Sequence, residues 1–131
     1  MSLAGKTLFI TGASRGIGLA IGKRAALADW LAEHAGVRHV VFAPLPPMHH
    51  FPLLPQPLRW IAGRDARRHD DAVARWAATR SDVSHLKIAL DLGAANMADE
   101  GFHPGEPVYR TCGEALAHHV AQHPFQKEIA P

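Results

Sequence analysis

The chain has 131 residues, the size of one domain, and is 47% apolar and 20% charged, which is globular composition and excludes wholesale disorder. The formal net charge of +2 is spread along the chain, so no nucleic-acid footprint is expected. No apolar run approaches the ~20 residues of a membrane span.

The single cysteine, Cys112, excludes an internal disulfide and a Cys-rich zinc site. Only the short four-residue run 7–10 separates residues 1–6 from Thr11-Gly12, so no signal peptide is expected and the cytoplasm is the default compartment.

Residues 7–10 form a short apolar run ended by a glycine turn and read as a buried strand. Residues 15–34 place Ile17, Ala20, Ile21, Leu27, Ala28 and Leu31 at helical spacing, and Gly36 stops that helix. Residues 39–43 read as a second buried strand. Six prolines at 44, 46, 47, 52, 55 and 57 predict a stiff loop over 44–58 without regular structure. A helix is expected from Trp60 to about Thr79, with Val73, Trp76 and Ala77 on its inner face and Trp60 packed at core or edge. His69-Asp70-Asp71, with Arg67 and Arg68, reads as that helix's solvated side. Residues 86–90 read as the third strand. A loop through 99–105 follows, then a helix from near Pro107 with Tyr109, Cys112, Leu116 and Val120 on one face. The tail 124–131 is expected to fray.

The order β-α-β-α-β-α predicts one α/β domain over 1–131, a small three-layer parallel sheet of Rossmann-like or flavodoxin-like type. Such a sheet needs both faces covered, so either a marginal monomer or a homodimer extending the sheet is expected. Ligands bind at the carboxyl ends of the strands. The loops there are 11–16, 44–58 and 91–105.

Thr11-Gly12-Ala13-Ser14-Arg15-Gly16-Ile17-Gly18 joins strand to helix. Glycines allow close backbone approach, and a helix start offers unpaired N–H groups and a positive dipole end, which suits a pyrophosphate. Residues 6–21 resemble the opening of short-chain dehydrogenases/reductases. The resemblance implies that Gly12, Ser14, Arg15, Gly16, Ile17 and Gly18 contact a dinucleotide, with the Ser-Arg pair favouring NADP. It ends at about residue 25. The family's Tyr-x-x-x-Lys is absent, since the lone Tyr109 is followed four residues later by Gly113, and Ala43 leads into Pro44 where an acidic ribose ligand would stand.

Residues 26–123 resemble the second half of a GDSL/SGNH-type esterase or lipase. The resemblance rests on Val40-Val41-Phe42-Ala43-Pro44-Leu45-Pro46-Pro47 and on Glu100-Gly101-Phe102-His103-Pro104. It implies that His103 is a general base for a serine and that Glu100 fixes its tautomer, with Asp99 one residue earlier as the other acid. The family usually has Asp where Glu100 stands. Its Gly-Asp-Ser, Gly and Asn blocks have no counterpart, and Asn96 is the only asparagine. Ser14, at a strand end and helix start, is the one positioned nucleophile. The chain thus reads as a hybrid whose seam lies near 23–30.

The resemblance implies hydrolysis of a small-molecule ester without a cofactor, weak because the oxyanion blocks are missing. Met48, Phe51, Leu53, Leu54 and Trp60 would then face substrate. The alternatives are an NAD(P)-binding module without reductase chemistry and a non-catalytic hybrid fragment. No metal site is expected, because the adjacent pair His118 and His119 diverges on a helix.

Overall fold

Four consecutive buried residues, His39, Val40, Val41 and Phe42, make β2 (His39–Phe42) the centre of the sheet. A strand covered on both faces cannot alternate polar with apolar, so it reads as a continuous apolar run. The computed structural model describes residues 7–10, 17–101 and 103–122. In it β2 lies between β1 (Thr7–Ile10) and β3 (Val83–His85), all parallel, in the order β1-β2-β3. Leu8 stands opposite Val40, and Val40 opposite Val83. Three helices complete the alternation: α1 (Ile17–Ala35), α2 (Leu58–Ala77) and α3 (Glu106–Gln122).

Val40, Phe42 and Val83 pack with Ala28 and Leu31 of α1 and Ala77 of α2 in one apolar cluster. Right-handed crossovers between neighbouring strands stepping in one direction put successive helices on one side of a sheet. The shared cluster agrees with that rule. Burying a side chain such as Phe42, 2% exposed, is worth ~1.5–3 kcal/mol. On the opposite face Val41 is fully buried, and His39 Nε2 lies 2.7 Å from Ser84 Oγ. Gly36 ends α1 as expected: at φ 63° it reverses the chain, and the Val37 N–H returns to the Leu31 carbonyl at 3.2 Å.

The third strand lies earlier than the apolar run 86–90 suggests. Its ladder is Val83–His85, closed by the Leu86 N–H on the Phe42 carbonyl at 2.8 Å. Beyond Phe42 the partner strand leaves through Ala43 and Pro44, which has no N–H, so residues 87–90 have no β2 backbone to pair with. They run on instead to a second cluster of Phe51, Leu92, Met97 and Val108, joined by Met48, Leu54, Leu90 and Cys112.

The proline-rich connection is also more ordered than expected. It contains a 3₁₀ turn at Met48–His50, its Gln56–Pro57 peptide is cis, and α2 starts at Leu58 rather than Trp60. Phe51 is core, so it does not face a substrate. Trp60, 55% exposed, packs neither at the core nor at its edge, and its ring lies under the Arg64 guanidinium. α3 turns a different face inward. Val108 docks in the second cluster, so Cys112, Ala115, Leu116 and His119 are half-buried, while Tyr109 and Val120 are exposed. The tail from 123 and the loop 11–16 lie outside the described residues.

Candidate functional site

Residues 96–101 and 103–105 belong to a narrow loop between the second cluster and α3. Met97 bridges Pro104, the Ala98 N–H meets the His103 carbonyl at 2.8 Å, and the Gly105 N–H meets the Asn96 carbonyl at 2.8 Å. At the tip the Gly101 N–H turns back on the Ala98 carbonyl at 2.7 Å. Two glycines allow this. Gly101 sits at φ 74°, in the left-handed region that a Cβ disfavours, and a Cβ on Gly105 would stand 2.8 Å from the Asn96 oxygen. Met97 and Val108, both buried, anchor the loop's base. The Leu53 side chain lies against Gly101 at the tip.

This geometry brings together two of the residues named from sequence. Glu100 Oε1 accepts the His103 backbone N–H at 3.1 Å and lies 2.6 Å from His103 Nδ1. With Nδ1 as the donor, the ring is held in one tautomer and one orientation. Glu100, not Asp99, is on the imidazole. The pair is open to water, His103 at 71% and Glu100 at 52% side-chain exposure. Its contribution to stability is therefore small, and its effect is orientation. Asn96 lies beside a cavity of about 150 Å³, shared with Asp91, Val108 and Thr111.

Gly12, Ser14, Arg15 and Gly16 lie outside the described residues, and Ile17 and Gly18 open α1. β1, which leads into their turn, is two ladder steps from β3, a separation of ~10 Å.

Sequence reasoning missed a second polar centre. His69 is not on a solvated side: it is 4% exposed, within the buried stripe Ala66, His69, Val73 and Ala77 of α2. That 3-4-4 spacing was readable from Val73 and Ala77 backwards, but the neighbouring charges masked it. Its Nε2 lies 3.4 Å from Arg24 Nη1 on α1. Asp70 accepts the Leu45 N–H on both carboxylate oxygens, at 2.9 and 3.1 Å, and lies 3.4 Å from His85 Nε2. Burial pushes the His69 imidazole's pKa below its ordinary value, and the Arg24 charge pushes it the same way. Burial also lowers Arg24, against the pull of Asp70. Among the described residues no group of three or more His, Cys, Asp or Glu is placed to hold a metal, and no helix is long and apolar enough to cross a membrane.

Comparison with known proteins finds no family model that matches this chain and no curated protein that matches it. The functional reading therefore rests on the residues themselves.

Proposed function

We propose that the chain is a serine ester hydrolase of the GDSL/SGNH kind, with His103 as base and acid, Glu100 as its orienting carboxylate and Ser14 as nucleophile. One observation carries this reading: the 2.6 Å contact between Glu100 Oε1 and His103 Nδ1 in a loop that leads into the last helix. A carboxylate on Nδ1 leaves the proton chemistry to Nε2.

In that mechanism Ser14 Oγ attacks the ester carbonyl carbon as its proton passes to His103 Nε2. The tetrahedral intermediate collapses, the C–O bond to the alcohol breaks, and Nε2 returns the proton to the departing oxygen. Water repeats the sequence on the acyl-serine, releasing the acid. Glu100 keeps Nδ1–H engaged throughout and offsets the charge of the imidazolium. The fold that would support this is the three-layer, Rossmann-like arrangement expected from the alternation. Hydrolysis is slow in this reading, because no Asn or Gly block supplies a dedicated oxyanion donor.

The test is hydrolysis of a short activated aryl ester by wild type, Ser14→Ala and His103→Ala. Loss in both variants supports the triad. Loss in His103→Ala alone keeps the dyad and removes Ser14. Turnover unchanged by either substitution ends the hydrolase reading.

A second reading rests on the β1-α1-β2 unit, a parallel crossover in which a glycine-rich turn precedes α1. It makes the chain an NADP-binding module. Titration with NADP tests it, and absence of binding to both wild type and Ser14→Ala ends it.

A further inference from the structure

We propose that the Arg24–His69 contact is an acid-sensitive latch between α1 and α2. It is independent of the hydrolase reading, which uses neither residue.

The contact joins two helices through one donor and one acceptor. Arg24 Nη1 stands 3.4 Å from His69 Nε2, and the guanidinium also reaches the Ala20 carbonyl at 3.3 Å and lies over the Phe42 ring. A guanidinium can only donate. So His69 Nε2 must accept, which places the imidazole proton on Nδ1. That nitrogen is buried and has no hydrogen-bond partner among the described residues. Neutral His69 therefore sits in α2's buried stripe with its acceptor satisfied and one donor unmet.

Protonation inverts this. Nε2 becomes a second donor facing the Arg24 donors, and the imidazolium holds two buried N–H groups without an acceptor. Two cations then stand in contact, His69 buried and Arg24 half-buried, which is costly. The charged and titratable groups facing His69 are Arg24 from α1, Asp70 on α2 itself and His85 from β3. Among the described residues Asp70 alone favours the proton. Its carboxylate already accepts the Leu45 N–H on both oxygens and lies 3.4 Å from His85 Nε2, so it offsets the repulsion only in part. The cheapest relief is for α1 to move off α2, returning His69 to water.

The direction follows from linkage. A histidine whose folded pKa is depressed leaves the contact at full strength above the ordinary value of ~6.5 and weakens it as pH falls below that. An opened His69 with the ordinary pKa favours opening by up to about tenfold at pH 5.5 relative to pH 7.5.

Hydrogen exchange of the whole chain at pH 7.5 and 5.5, corrected for the chemical pH dependence of exchange, reads the latch. In wild type the amides of α1 should lose protection, by up to about tenfold, beyond any loss in α3. In His69→Gln, whose amide oxygen can accept from Arg24 but cannot be protonated, that excess loss should vanish. Equal loss in His69→Gln and wild type overturns the proposal, as does unchanged α1 protection in wild type. Should His69→Gln fail to fold, the Cε1–H proton resonance of His69 in wild type decides: a midpoint below ~6.5 that coincides with the loss of α1 protection supports the latch, and an ordinary midpoint overturns it.

Discussion

One carboxylate oxygen of Glu100 takes two hydrogen bonds from His103, the backbone N–H at 3.1 Å and the ring Nδ1 at 2.6 Å. A spacing of three residues across a tight turn lets one acid fix both the local backbone and the ring it positions. Glu100→Gln keeps an acceptor for both donors and removes the charge. A contact this exposed is worth ~1 kcal/mol in Coulomb energy, so under the proposed hydrolase reading kcat for an aryl ester should fall about fivefold to tenfold with little change in KM. Glu100→Ala should fall further, because nothing then sets the ring's tautomer. Steady-state kinetics on the two variants checks this, and equal kcat in both would mean that Glu100 does not orient His103.

The loop that holds this pair has its own test in Gly105. A Cβ there would meet the Asn96 oxygen at 2.8 Å and the Met97 carbonyl carbon at 3.1 Å, both backbone atoms that cannot swing aside. Gly105→Ala should destabilise the protein by about 1–3 kcal/mol through overpacking and, if the proposed hydrolase reading holds, lower esterase activity by displacing His103. Gly101→Ala probes the same loop differently: a Cβ there meets only the Leu53 side chain, at an ordinary contact distance of 3.5 Å, but φ 74° costs a residue with a Cβ about 1–2 kcal/mol. Urea denaturation measures both, and the Gly105 variant should also move the His103 amide resonance.

How much of this was readable beforehand varies by element. The alternation and its parallel pairing followed from the apolar runs at 7–10 and 39–42 and from the helical spacing between them, because burial of a central strand imposes that pattern. Glu100 and His103 were legible because their pairing is local. The third strand was misplaced because 86–90 is apolar for a different reason: Leu90 and Leu92 fill the second cluster rather than a ladder. A period of apolar residues reports burial and does not say against what. His69 failed for the opposite cause. Its partners Arg24 and His85 are 45 residues before it and 16 after it, and only tertiary packing makes a polar residue between two arginine-rich turns a buried one.

Close approach also governs the contact between α2 and the proline-rich connection. Gly63 is buried in α2, and a Cβ on it would stand 2.5 Å from His49 Cβ and 2.9 Å from His49 N. Helix propensity favours Gly63→Ala by about 1 kcal/mol, while overpacking costs about 1–3 kcal/mol. The packing cost should win, because the obstructing atoms include backbone. The expected result is a lower urea midpoint for Gly63→Ala, in contrast to Gly22→Ala in α1, where nothing lies within 4 Å and a stabilising change is expected.

Acid acts at a further place, the turn before β3. The Arg80 guanidinium binds Asp82 through Nε at 2.9 Å and Nη2 at 2.8 Å, and it reaches Asp29 of α1 at 2.6 Å. The Arg80 hydrogen bond holds the Asp82 carboxyl below its ordinary pKa, opposed by partial burial. A carboxylate with a depressed folded pKa contributes stability that is present above its unfolded value of ~3.9 and is lost as pH falls through the folded value. Asp82 is 38% exposed, so water screens the pair and its contribution is held to about 1 kcal/mol or less. Asp82→Asn should therefore be less stable than wild type at pH 7, and the difference should shrink towards pH 3. This window lies below the one set by His69, so urea midpoints between pH 7.5 and 3 separate the two: His69→Gln flattens the upper part of the wild-type profile and Asp82→Asn the lower. A single acid step abolished by either substitution would show that the two sites open together.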